Sequence, residues 1–127
     1  RDSTWLHYDK EKRLILKEDY MQGKLHGESI SYHENGNLAE KLHFKNGLRH
    51  GPWIRKLDNG TTVVKAEYAD DELHGQAKFW DISGSPVSMG KYEHGWQQGI
   101  WIEYNDAGRA AFRVTYKRGR EIKREEI

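Results

Sequence analysis

The sequence predicts an all-β protein: one elongated, single-layer, twisted antiparallel sheet built from consecutive β-hairpins. Three observations carry this expectation. The first is a glycine frame. Gly23, Gly47, Gly95 and Gly119 stand at multiples of 24 residues, and two further series keep the step: Gly27, Gly51, Gly75, Gly99 and Gly36, Gly60, Gly84, Gly108. Of the 13 glycines only Gly90 falls outside this frame. The second is an aromatic series in the same step, Tyr20, Phe44, Tyr68, Tyr92 and Tyr116. Self-similarity at a fixed interval marks a repeat architecture. The third is alternation: Leu42 and Phe44, Ala66 and Tyr68, Val114 and Tyr116 interleave with Lys41 and His43, Lys65 and Glu67, Arg113 and Thr115. A period of two is that of a half-buried strand.

Each repeat resolves into two strands and two turns. The first strand is expected at 28–32, 52–56, 76–80 and 100–104. Ile30, Ile54 and Ile102 form one column there, with Tyr32, Trp80 and Tyr104 two residues on. Trp5, Trp53 and Trp101 form a column on the opposite face, interrupted by Ser29 and Ala77. The turn between strands falls at Glu34-Asn35-Gly36-Asn37, Asp58-Asn59-Gly60-Thr61, Ile82-Ser83-Gly84-Ser85 and Asp106-Ala107-Gly108-Arg109. Asn-Gly is a strong hairpin signal because such turns need a positive φ. The second strand is expected at 39–44, 63–68, 87–92 and 111–116. Paired glycines around a short spacer, as in Gly23–Gly27 and Gly47–Gly51, suit a compact return turn. The best helical candidate is the charged tail after Gly119. About ten strands at ~4.8 Å spacing make a sheet ~45 Å long, which should twist.

The expected organisation is a single repeat domain over 1–127. Residues 3–22 form an incomplete N-terminal cap unit. Residues 23–46, 47–70, 71–94 and 95–118 are full units, and 119–127 form a C-terminal cap or tail. Degenerate ends are expected where a terminal repeat meets water. Asp71 stands where the opening glycine belongs, and Gly90 stands at an apolar position, which predicts a bulge in the third unit.

Composition agrees with a thin, elongated structure. The chain is 35% hydrophobic and 32% charged but 12% aromatic, and its mean hydropathy is -1.02. Large aromatic rings supply burial where aliphatic residues are few. The 21 Lys and Arg against 20 Asp and Glu leave a net charge of +1, which makes no electrostatic case for nucleic acid. With no cysteine, disulfide and thiolate chemistry are excluded. The chain opens on Arg1 rather than Met, as a mature or trimmed form does. The compartment expected is the bacterial periplasm or envelope, with the cytoplasm as the alternative.

The stretch Gly23-Lys24-Leu25-His26-Gly27-Glu28-Ser29-Ile30-Ser31-Tyr32-His33-Glu34-Asn35-Gly36-Asn37-Leu38 resembles the MORN-type repeat. More closely it resembles the bacterial variant found in YwqK-family antitoxin-like proteins. The resemblance covers about residues 3–119. It implies a hairpin-repeat fold and a noncatalytic binding protein that neutralises a toxin or effector.

The residues offer little chemistry. His26, His50 and His74 share one repeat position, with Gln98 in the next. Equivalent positions lie two strands, ~9.6 Å, apart, too far to converge on one zinc. The alternative assigns this His to the return turn, bonded to a backbone carbonyl. Adjacent acids such as Asp70 and Asp71 point to opposite faces of a strand, and Ser83-Gly84-Ser85 sits at a hairpin turn rather than a nucleophile elbow. No catalytic residue, metal or cofactor is expected.

Recognition is expected where large residues break the frame. Trp53 and Trp101 align with Ser29 and Ala77; Arg55 and Phe79 align with Ser31 and Glu103; Trp96 stands where Lys24, Leu48 and Glu72 do. Trp and Arg dominate interface hot spots. The expected partner-binding residues are Trp53, Arg55, Phe79, Trp80, Trp96 and Trp101, the expected partner a toxin or effector protein. For Trp53 and Trp101 a second account holds, that they fill the gaps left by Ser29 and Ala77. The alternative function is a membrane-associated or scaffold repeat, touching anionic lipid through the basic tail with Arg118, Arg120 and Arg124.

Overall fold

The structure, a computed structural model, describes residues 2–127; Arg1, on which the trimmed start was inferred, lies outside the described residues. Thirteen strands form one open antiparallel sheet, and no helix occurs among the described residues. They are β1 (Asp2–Tyr8), β2 (Leu14–Met21), β3 (Lys24–Tyr32), β4 (Leu38–Lys45), β5 (Leu48–Arg49), β6 (Gly51–Lys56), β7 (Thr62–Ala69), β8 (Glu72–Leu73), β9 (Gly75–Trp80), β10 (Pro86–Glu93), β11 (Trp96–Tyr104), β12 (Ala110–Lys117) and β13 (Arg120–Glu126). Neighbours in sequence are neighbours in space throughout; the short strands β5 and β8 flank β4 and β7.

The tail after Gly119, the best helical candidate in the sequence, is a strand. β13 pairs with β12 from Phe112↔Glu126 to Lys117↔Arg120. A helix that short is marginal by itself, whereas the edge of β12 presents a row of ready hydrogen-bond partners.

Two turn types alternate. At the hairpin tip the Gly36 N–H donates to the His33 carbonyl (2.9 Å) and the His33 N–H to the Asn37 carbonyl (2.8 Å). Of Asn35 and Gly36 only the glycine has positive φ (88°). This is a type I turn closed by a left-handed residue, and its bonds recur at 57–61, 81–85 and 105–109. The tighter turn, with both central residues left-handed, is the return turn: Gln22-Gly23 (φ 52°, 81°), Asn46-Gly47 (52°, 85°), His94-Gly95 (50°, 82°) and Arg118-Gly119 (49°, 77°). Asp70-Asp71 (48°, 72°) makes it with no glycine at all.

Strand register sorts the side chains into two faces. Ser29, Trp53 and Trp101 lie opposite Leu42, Ala66 and Val114. The tryptophan column therefore shares a face with the Tyr/Phe column; this is the aromatic face. Ile30, Ile54 and Ile102 lie opposite Lys41, Lys65 and Arg113; this is the lysine face. The main core sits on the aromatic face. Ala66, Ala77 and Trp101 are buried there, and Trp53, Val64, Leu73, Phe79, Tyr92 and Tyr116 pack around them.

Gly90 stands where the β10–β11 register shifts, as its place in a strand predicted. The equivalent shift between Glu18 and Tyr20 in β2–β3 makes the bulge a feature of the repeat rather than of the third unit. What is particular to Gly90 is space: a β-carbon there would run into the Trp101 indole.

Candidate functional site

Four of the six expected partner-binding residues come together on the aromatic face. Glu40, Arg55, Val64 and Phe79 form a row across β4, β6, β7 and β9, and Trp53 and Trp101 belong to the adjacent row. Trp80 and Trp96 do not join them. Trp80 follows Lys78 on the lysine face, with the Lys78 ammonium 5.2 Å from its ring centroid. Trp96 stands opposite Glu93 at the return-turn rim and covers Gly119.

The four differ in availability. Trp101 is 2% exposed. Its indole N–H donates to the Lys91 carbonyl (3.0 Å), Phe79 stacks on it at 6.3 Å, and Tyr92 and Tyr116 meet it edge-on at 5.2 and 6.2 Å. Trp101 is thus a core residue that fills the room left by Ala77 and Gly90. Trp53 is half-buried, tilted on Tyr68 at 5.6 Å, with its N–H on the Glu40 carboxylate at 2.8 Å. Phe79 is also half-buried, and Arg55 is exposed. Arg55 has no ion-pair partner among the described residues.

Beside this group lies a cluster that the residue reading missed. The Arg49 guanidinium sits 4.4 Å over the Tyr68 ring, donates to the Tyr68 hydroxyl (3.1 Å) and grips Asp71 through Oδ1 (2.6 Å) and its carbonyl (3.2 Å). The hydrogen bonds from Arg49 hold the Asp71 carboxyl below its ordinary pKa. The signal was available: Arg49 stands where the frame has Leu25 and Leu73, and Asp71 stands where it has glycine. Two departures from the frame meet in space and compensate each other.

The histidine position is a turn clamp. The Asn46 N–H donates to His26 Nδ1 (3.2 Å), the Asp70 N–H to His50 Nδ1 (3.4 Å) and the His94 N–H to His74 Nδ1 (3.4 Å). In the next unit Gln98 Oε1 accepts from the Arg118 N–H at 2.9 Å. The return-turn assignment holds, but the ring accepts from an amide instead of bonding a carbonyl. The first residue of each return turn needs an acceptor for its N–H, and His and Gln both supply one. No group of three or more His, Cys, Asp or Glu is placed to hold a metal among the described residues.

The lysine face carries a row of cations and apolar residues: Lys17, Ile30, Lys41, Ile54, Lys65, Lys78, Met89, Ile102 and Arg113. Lys41 pairs with Glu28 at 2.9 Å, and this hydrogen bond, against the opposing effect of burial, lowers the Glu28 pKa. Lys17 and Lys65 have no carboxylate partner among the described residues. Lys41, Ile54, Lys65, Glu67 and Lys78 border an open depression of about 660 Å³.

The basic tail is less free than its sequence implies. Arg124 lies on the aromatic face opposite Val114, 5.1 Å over Phe112, and is tied to Glu103 (2.8 Å) and Glu121 (2.9 Å).

No curated protein matches the chain. Residues 25–46 match the family model described as a MORN repeat variant. That segment runs from β3 through the hairpin tip to the return turn, and the same hairpin recurs along the sheet. By the matched unit and by its recurrence, the chain is similar to MORN-type repeat proteins, whose repeats serve as binding modules.

Proposed function

We propose that this protein is a noncatalytic binding module that neutralises a partner toxin or effector by covering it with the aromatic face of the sheet. One observation supports this face above the other surfaces. Arg55 stands there exposed and without an ion-pair partner among the described residues, two residues from half-buried Trp53 and one strand, that of Val64, from half-buried Phe79. Such residues contribute most to protein interfaces when their surroundings exclude water. Trp101 lies beneath and holds the platform rigid, so it acts on binding through Phe79. The experiment is capture from the native host followed by co-expression with the recovered candidates. Arg55→Glu is expected to weaken the complex by about a hundredfold, near 3 kcal/mol, without altering the thermal midpoint. Capture of no toxin or effector, with no rescue of growth on co-expression, would sink the reading.

A second reading, a membrane-associated or scaffold repeat, draws on the lysine row. Lys17, Lys41, Lys65 and Arg113 repeat at the 24-residue step and present cations along one face. It expects salt-sensitive binding to anionic vesicles that falls when Lys17 and Lys65 become Gln. Equal affinity for neutral and anionic vesicles counts against it.

A further inference from the structure

The net charge of +1 averages two unlike faces. On the lysine face the middle row sets Lys17, Lys41, Lys65, Lys78 and Arg113 across nine consecutive strands of the sheet path, β2 to β12. A second row adjoins it on the hairpin-tip side: Tyr32, Lys56, Trp80 and Tyr104, each two residues beyond a member of the first. Contacts tie two of these rings to the middle row. The Lys78 ammonium lies over Trp80, and the Tyr104 hydroxyl donates to Met89 Sδ at 3.1 Å. The middle row meets no acid until Glu125 in β13, 4.0 Å from Arg113. Asp19, Glu28 and Glu67 lie one row further toward the return turns.

One pair in this row works against the fold. Lys65 and Lys78 stand directly opposite each other on β7 and β9, and like charges so placed destabilise a sheet. Neither has a carboxylate partner among the described residues. The frame supplies a neutral alternative, because the other three units carry Ile30, Ile54 and Ile102 where Lys78 stands. The exchange of Ile for Lys brings repulsion to the folded chain, and a bound anion relieves it. Both lysines border the open depression of about 660 Å³.

We infer that the lysine face is a track for single-stranded nucleic acid, with phosphates on the middle row and bases against Tyr32, Trp80 and Tyr104. A basic stripe, more than the total charge, is the electrostatic footprint of such a ligand. Twist and the aromatic row select the single strand among polyanions. Eight strand steps from Lys17 to Arg113 span about 38 Å. At ~20–25° per strand the face turns by about 160–200° over that length. A flat bilayer or a stiff duplex meets only part of such a row, whereas a flexible strand follows it. Cations that track the backbone, with rings alongside on which bases stack, are the two components of sequence-tolerant single-strand sites. The track lies on the side of the sheet opposite the aromatic face, so a protein partner and a nucleic acid can be held together.

The test is fluorescence anisotropy of a labelled oligo(dT) of about 12 nucleotides, within the span of single-strand sites, titrated with the chain from about 50 to about 200 mM salt. A dissociation constant of about 10 μM at the lower salt is expected, weakening steeply as salt rises. The double variant Lys65→Gln/Lys78→Gln should bind at least about tenfold more weakly. It should also lose about 1.4 from the slope of log affinity against log salt, at ~0.7 per phosphate. Lys24→Gln removes an exposed cation at the return-turn rim and should leave affinity and slope unchanged. Lys78→Ile restores the residue of the other units, so it should weaken binding while raising the urea midpoint; a lowered midpoint would assign Lys78 to the fold. An abasic strand of equal length keeps the phosphates without the bases and should bind at least about fivefold more weakly. The proposal is overturned by absence of binding up to about 1 mM or by a double variant that binds like the parent chain. It is equally overturned by an abasic strand or a duplex that binds as tightly as oligo(dT), or by binding confined to phosphatidylserine vesicles, which would give the row to a membrane. None of these outcomes involves Trp53, Arg55 or Phe79, so the toxin reading is tested separately.

Discussion

At the scale of single residues, departures from the frame divide into structural pairs and free surface. Gly90 and Trp101 are one structural pair, the indole occupying the volume over the glycine. Gly90→Ala should therefore cost about 2–4 kcal/mol by overpacking, read as a lowered urea midpoint at constant slope; a loss below about 0.5 kcal/mol would contradict the packing account. Arg49 and Asp71 are another pair. Asp71 holds φ at 72°, where a β-carbon costs about 1 kcal/mol. Its ion pair with Arg49 is partly exposed, so solvent screens it. Asp71→Gly should change stability by less than about 0.5 kcal/mol, because relief of the backbone offsets loss of the clamp. Asp71→Ala relieves nothing and should cost about 1 kcal/mol or more. Equal losses in the two variants would refute the compensation.

At the scale of elements, each hairpin tip is fixed by one side-chain acceptor whose chemistry varies. Asp9 Oδ1 accepts from the N–H groups of Glu11 and Arg13, and Asp81 Oδ1 from those of Ser83 and Ser85. Asn105 does the same for Ala107 and Arg109 without a charge. Bonds to the Arg13 amide and guanidinium lower the Asp9 pKa, and the Ser83 hydroxyl leads in lowering that of Asp81. A carboxyl whose pKa is lower folded than unfolded binds more protons unfolded. Its contribution is full above the unfolded value and disappears as pH falls through the folded one, below about pH 4. Asp81→Asn copies the fourth unit's tip. It should leave stability at pH 7 unchanged and shrink the loss on acidification, measured as the urea midpoint down to about pH 3. An unaltered acid limb would assign the sensitivity to the other depressed carboxyls, Asp9, Asp71, Glu28 and Glu121.

At the scale of the whole molecule, the sheet is repetitive in backbone and uneven in packing. Strand pairing joins only neighbours, with side-chain contacts such as Phe79–Trp101 and Arg124–Glu103 reaching across one intervening strand, so stability is largely a sum of local terms. Those terms concentrate around Ala66, Ala77 and Trp101, while every residue of β1 is exposed. Amide exchange should accordingly be slowest in β7 and β9–β12 and fastest in β1, by about a hundredfold or more in protection factor. Uniform protection along the sheet would show a cooperativity that the packing does not explain.

The fold was legible because repetition amplifies weak local signals. One glycine turn or one alternating stretch is ambiguous, but four in register specify consecutive hairpins, and the glycines and the Tyr/Phe column fell where the frame put them. The tail was the least legible segment because its strand state depends on the edge of β12, a non-local partner that no seven-residue window contains. The candidate site was half legible. Trp53, Arg55 and Phe79 stand together on the aromatic face, whereas Trp101 is buried and Trp80 and Trp96 lie elsewhere, since departure from a repeat says that a residue is special without saying which neighbour needs it. Arg49 escaped notice because its partner is 22 residues away and meets it only across the return turn.

The sequence by itself determined the repeat, its turns, the antiparallel hairpin order and the near-neutral total charge. These follow from backbone preferences and two-residue alternation, which are local. Only the tertiary structure decided which columns share a face, and with it the distribution of charge. Strand register, shifted at every return turn, sets tryptophans beside Tyr/Phe and lysines beside isoleucines, so a chain of net charge +1 presents an aromatic surface on one side and a cationic row on the other.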